Sequence, residues 1–162
     1  MSQLYKIDMP TCISRNSKET REPELVRFAT QLRSQYNSVG AIRFCWGGWA
    51  VFNLGARSNN GFVNCISTAH PSLLEETEVE QVGAPVQILA PENDFMSSPE
   101  ITAFVNRVIP SLGVAYDYQH FSGAEPWFGT RDEINSRECS AVVLAYGVII
   151  DRFQLWLNQQ QD

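Results

Sequence analysis

Hydrophobic and polar positions along this chain switch repeatedly between two periods. In ELVRFATQLRSQYN, Leu25, Phe28, Ala29, Leu32 and Tyr36 recur at helical spacing, and Pro23 suits a first-turn position. VGAIRFC and GFVNCISTAH then read as short buried strands, APVQILAPEND as a third strand with polar residues at its carboxyl end, and VAYDYQHFS as a fourth. Between them, WGGWAVFNLGARS, PSLLEETEVEQV and ITAFVNRVIPSLG read as helices, the last opened by Ser98 as cap and Pro99 as first helical residue. SGAEPWFGTRDEINS is a loop, and SAVVLAYGVIIDRFQLWLNQ closes the chain as a long helix. Strands alternating with helices predict an α/β domain over residues 1–162, a parallel sheet flanked by helices on both faces.

Composition narrows the picture only a little. The 162 residues are 44% hydrophobic and 19% charged, ordinary for a globular domain that can bury a core without staples. A net charge of −6 with no Lys/Arg cluster argues against nucleic acid and anionic membrane as partners. MSQLYKIDMPTCIS has no signal pattern, and no run of about 18 apolar residues is evident, so a cytoplasmic protein is expected. Cys12, Cys45, Cys65 and Cys139 form no C-x-x-C pair, which points to free thiols and to no metal site.

In open parallel sheets, ligand chemistry gathers at the carboxyl ends of the strands. Those ends carry Cys45, then Ala69-His70-Pro71, then Asn93-Asp94, then His120 and the loop to Arg131. Cys45 stands between a strand and a helix with Gly47-Gly48 close behind it, as the nucleophile does in a strand-to-helix elbow, where following amides can stabilise a thiolate or an oxyanion.

With Cys for Ser, FCWGG resembles the dienelactone hydrolase family, members of which carry a Cys-His-Asp triad on the α/β-hydrolase fold and open small lactones or esters. Thr68-Ala69-His70-Pro71-Ser72 matches the H-P-S segment of that family, Pro91-Glu92-Asn93-Asp94 falls where its triad aspartate ends a strand, and Phe121 to Arg131 resembles its final aromatic-to-arginine loop. The likeness runs from about residue 22 to 158. It implies a shortened α/β-hydrolase-like sheet, Cys45 and Asp94 as catalytic candidates, and Arg131 as a partner for a substrate carboxylate or an anchor for its loop; His70, which fits a structural role in the H-P-S segment, is a third catalytic candidate because the pocket is short of proton carriers.

Three departures qualify this. The triad histidine position falls on Pro126, which can carry no proton, leaving His70 and His120 as the only imidazoles. Arg43 stands two residues before Cys45 where the family has glycine; its guanidinium could favour thiolate, or report a turn that has relaxed. The strands that ordinarily precede residues 22–37 are missing, so a homodimer covering the open sheet is expected, with residues 1–21 exchanged in one version of it. Trp46, Trp49, Trp127 and Phe128 fit packing most simply, but Trp46 and Trp127 belong to segments that should face the pocket, where a flat apolar ligand could stack; Phe128, His120 and Glu125 are further substrate-binding candidates. The resulting expectation is an enzyme without cofactor, acting on a small cyclic or polyketide-like carbonyl compound by non-hydrolytic acid–base chemistry. The alternatives are a Cys45-dependent lactone or ester hydrolase with a recruited histidine, and a binding protein without catalysis.

Overall fold

Ser17 fixes the start of the first long helix. Its hydroxyl accepts from the Thr20 amide, and a helix follows from Lys18 to Gln35 (α2), after a short helix at Met9–Arg15 (α1) capped by Asp8. A helix beginning at Pro23 is thereby corrected: Ser17 offers the stronger cap, and Pro23 sits inside α2, where it gives up one backbone hydrogen bond. The computed structural model describes residues 8–59, 61–92, 94, 97–125, 128 and 136–158. Asn93, Pro126, Trp127 and Arg131 lie outside them.

Four parallel strands follow: Gly40–Phe44 (β1), Cys65–Ala69 (β2), Val86–Pro91 (β3) and Tyr116–Phe121 (β4), in the spatial order β1-β2-β3-β4. Helices Gly48–Leu54 (α3), Glu76–Glu80 (α4) and Pro99–Ser111 (α5) connect them, and Ser136–Asn158 (α6) closes the fold. Every crossover steps to the same side, and parallel crossovers are right-handed, so α3, α4 and α5 share one face while α6 takes the other. The two cores follow this division. Val51, Phe52, Ile66, Val79, Ile88 and Ile109 fill the three-helix side, while Ala69, Leu89, Phe121, Phe128, Ala145 and Ile149 fill the α6 side.

The central strands β2 and β3 are buried at every position, whereas β1 and β4 form the edges of the described sheet. The α5 start is as expected, with the Ser98 hydroxyl accepting from the Ile101 amide at 3.3 Å. Contrary to the reading of the sequence, Ser140–Asn158 is long and apolar enough to cross a membrane by length and mean hydropathy (1.4). In the fold, α6 instead buries Ala141, Ala145, Ile149 and Trp156, and Arg152 Nε reaches the Asp117 carboxylate at 2.8 Å. Val143, Leu144, Ile150 and Leu155 remain exposed on its outer side.

Candidate active site

The elbow is intact. Phe44 leaves β1 extended, and Cys45 turns to φ 52°, a left-handed conformation that costs a non-glycine residue about 1–2 kcal/mol. Residues Cys45–Gly47 form one tight turn, with the Gly48 amide donating to the Cys45 carbonyl, before α3 begins. Glycine is required at 48 by close approach: an added Cβ would lie 2.6 Å from Pro71 Cβ and 3.0 Å from its Cα. At Gly47 a Cβ would meet the Arg43 stem at 3.2 Å. The bulky residue two positions before Cys45 is therefore accommodated by the glycine opposite it, and the turn has not relaxed.

The H-P-S segment holds this turn from the other side. The Ser72 amide donates to the Cys45 carbonyl at 3.2 Å, and Ser72 Oγ lies 3.6 Å from Cys45 Sγ. Its neighbours His70 (φ 40°) and Leu73 (φ 56°) are also left-handed. Among the described residues, Cys45, His70 and Leu73 are the non-glycine ones with positive φ, all within or beside this one junction.

The expected catalytic residues do not share a cavity. Cys45 opens onto a cavity of about 560 Å³ walled by Phe44, Trp46 and Trp49, with Arg43, Arg21 and Glu24 at its polar side. Asp94 and His120 line a different one, of about 450 Å³, over the carboxyl ends of β3 and β4, together with Glu92, Tyr118 and Ser97. Among the described residues, no lining residue is common to both.

His70 lines neither cavity. Its ring, 1% exposed, stands 6.5 Å from Phe44 and 6.4 Å from Phe128, and among the described residues neither nitrogen has a hydrogen-bond partner. Burial pulls its pKa down, outweighing the Asp94 charge, so the imidazole is neutral near pH 7. Phe128, expected at the substrate, is 1% exposed and packs on Phe121 with ring centroids 5.4 Å apart. Glu125 lines neither cavity, and its carbonyl accepts from the Phe128 amide at 2.9 Å. Trp46 lies beside Cys45, and its ring meets Trp49 edge-on at 5.5 Å. Trp127 and Arg131 lie outside the described residues.

Two groups escaped the sequence reading. Glu92 Oε2 accepts from the Gly123 amide at 2.5 Å and its amide donates to the Ala124 carbonyl, fastening the loop after β4 to the end of β3. Tyr118 shares a face of β4 with His120, a relation already present in the alternation of YDYQHF. Burial, aided by the Asp94 carboxylate, raises the Tyr118 pKa and keeps the phenol protonated. Among the described residues, no three His, Cys, Asp or Glu side chains gather into a possible metal site.

Comparison with known proteins follows the same lines. The profile of the dienelactone hydrolase family matches residues 9–157. Hydrolase tropI of Talaromyces stipitatus is 27% identical over 124 residues, covering 74% of this chain and 47% of that protein. Dienlactone hydrolase 1 of Gibberella moniliformis is 25% identical over 134 residues, covering 80% of this chain and 45% of its own. This chain thus spans about half the length of the curated relatives it matches. Among solved structures, m3DLH superposes with a TM-score of 0.69 at 17% identity, over 93% of this chain and 69% of that one. A dienelactone hydrolase-like promiscuous phosphotriesterase, P91, from metagenomic libraries gives 0.64 at 16% identity, over 91% and 66%. These two likenesses establish the fold.

Proposed function

The chain belongs to the dienelactone hydrolase family, and we propose that it acts on a small cyclic or polyketide-like carbonyl compound by acid–base chemistry at the Asp94–His120 cavity rather than by acylation of Cys45. One observation carries this reading: as lined by the described residues, the thiol and the acid–base groups border separate volumes. A thiol hydrolase needs a base within reach of sulfur, and the described residues around the Cys45 cavity include two arginines and one glutamate but no imidazole.

The step follows from the groups present. The Asp94 carboxylate takes a proton from the carbon next to a carbonyl. The electron pair moves into the carbonyl, and the enolate oxygen accepts a hydrogen bond from the Tyr118 phenol, which burial keeps protonated. When the substrate carries a C=C bond beyond that carbon the enolate is a dienolate, and return of the proton to its far (γ) carbon, from Asp94 or through His120, moves the double bond into conjugation and completes an isomerisation with no net change of atoms.

Thiol hydrolysis is the second reading. It is favoured by the strained Cys45 backbone, held from two sides, and by the Ser72 hydroxyl at 3.6 Å. The two are separated by deuterium incorporation from D₂O into a panel of β-keto lactones, followed by NMR, beside hydrolysis of the same lactones. Cys45→Ala should retain exchange, while Asp94→Asn should lose about 100-fold or more, the usual contribution of a general base. If Cys45→Ala abolishes lactone turnover and Asp94→Asn leaves it intact, the acid–base reading is refuted.

A further inference from the structure

Leu73 combines three properties that packing does not explain together. It is left-handed at φ 56°, it is 57% exposed, and it lies on the wall of the Asp94–His120 cavity. A leucine gains nothing from this conformation, and an exposed apolar side chain gains little from burial. The strain persists because the chain is fixed on both flanks. On one side Ser72 is tied to Cys45 through its amide and its hydroxyl. On the other, Lys18 Nζ donates to the Leu73 carbonyl at 3.3 Å and to Glu75 and Glu78 at 2.8 and 2.7 Å. Glu75 and Glu78 in turn form the reciprocal cap that starts α4.

A held, strained position with a projecting side chain is a placement maintained for something outside the fold. The cavity it borders has a mixed lining: Asp94, Glu92 and His120 are among its polar groups, and Leu74, Ile101 and Pro71 join Leu73 among its apolar ones. We infer that Leu73 is a specificity-determining residue that grips the hydrocarbon portion of a carbonyl ligand whose polar head lies toward Asp94 and His120. The ligand class is a carbonyl compound bearing an alkyl or aryl tail. This rests on the Asp94–His120 cavity being the reaction site.

Binding and turnover are read separately, so the two ideas can fail independently. 2-Butanone, 2-hexanone and 2-octanone are titrated by NMR into the wild-type protein, Leu73→Gly and Leu73→Asn. Glycine releases the strain, and asparagine tolerates the left-handed backbone but is polar. In the wild type, affinity should rise up to about 4-fold per methylene, with shifts in the Tyr118 and His120 signals. Both variants should flatten that rise, and Leu73→Gly should melt no lower than the wild type. An unchanged chain-length dependence in the variants overturns the inference. So does a drop in the melting temperature of Leu73→Gly, or alkanone shifts confined to the indole signals of Trp46 and Trp49. If the wild type shows no acid–base activity but its chain-length dependence is present and is flattened in both variants, the reaction is removed and Leu73 stands as the ligand contact.

Discussion

Gly48→Ala and Gly147→Ala make the same chemical change at two helical positions and should move stability in opposite directions. In a helix, alanine is favoured over glycine by about 0.8–1 kcal/mol. At Gly147, on the exposed side of α6, an added Cβ meets nothing within 4 Å, so this gain should appear nearly whole. At Gly48 the same atom would lie 2.6 Å from Pro71 Cβ, roughly an ångström inside ordinary contact. Pro71 has little room to retreat. It is buried, and it is flanked by His70, whose amide donates to the Leu89 carbonyl at 2.9 Å, and by Ser72 bound to Cys45. Overpacking of this kind costs about 1–3 kcal/mol. The helical gain offsets about 1 kcal/mol of it, leaving a net loss of up to about 2 kcal/mol. With a urea m-value of about 2 kcal/mol/M, the midpoint should fall by up to about 1 M for Gly48→Ala and rise by about 0.5 M for Gly147→Ala. Urea unfolding followed by tryptophan fluorescence measures both. Midpoints that move together, or a Gly48→Ala midpoint at or above that of the wild type, would refute the packing of the elbow against the H-P-S segment.

His70 carries a pH signature. Its folded pKa lies below the unfolded 6.5, so the folded chain binds fewer protons, and stability should decline as pH falls below about 6.5 toward the folded value. His70→Phe should be no less stable near pH 7.5, since it removes buried nitrogens that have no partner among the described residues, and should show a shallower decline below about pH 6.5; identical profiles in urea titrations would refute the assignment. The open edge of β1, with the exposed Val143, Leu144 and Ile150 on α6, supports the proposal of a homodimer along that edge. Sedimentation equilibrium should then give twice the chain mass at micromolar concentration, and a monomer there would rule the dimer out.

Much of the architecture was legible because its signals are local. Ser98-Pro99 states the start of α5 within two residues, and FCWGG states the elbow within five. The alternation of strand and helix led directly to a parallel sheet. What could not be read depends on distant surfaces. Pro23 looked like a first-turn residue because the competing cap, Ser17, precedes a polar stretch with no periodicity to announce a helix. The division into two cavities is invisible in the order of motifs, which places Cys45, His70 and Asp94 at three strand ends without saying which wall each will face. Leu73 offered no signal either, since a leucine turns left-handed only when segments far away in sequence, here Lys18 and Cys45, leave it no alternative.

Beneath α6, three polar side chains form a row across the sheet. Ser67, Gln87 and Asp117 are paired in register on β2, β3 and β4. Ser67 Oγ donates to Gln87 Oε1 at 2.9 Å, and Gln87 Nε2 donates to Asp117 Oδ2 at 3.0 Å and to the Val148 carbonyl of α6 at 3.2 Å. Gln119 and Arg152 also donate to that carboxylate, and these bonds outweigh its partial burial to hold the Asp117 pKa below the usual range. Because side chains alternate across a strand, sliding β3 by one residue would turn Gln87 into the apolar three-helix core and strand Ser67 and Asp117 without it. The row therefore acts as an alignment key. Mispaired strands are penalised by several unmet hydrogen bonds at once, while a one-turn slip of α6 would part Arg152 from its carboxylate. Hydrophobic residues such as Val86, Ile88 and Leu89 would tolerate neighbouring alignments far more evenly, so the depth at which Asp94 and His120 stand above the sheet is set by a polar triad buried well below them.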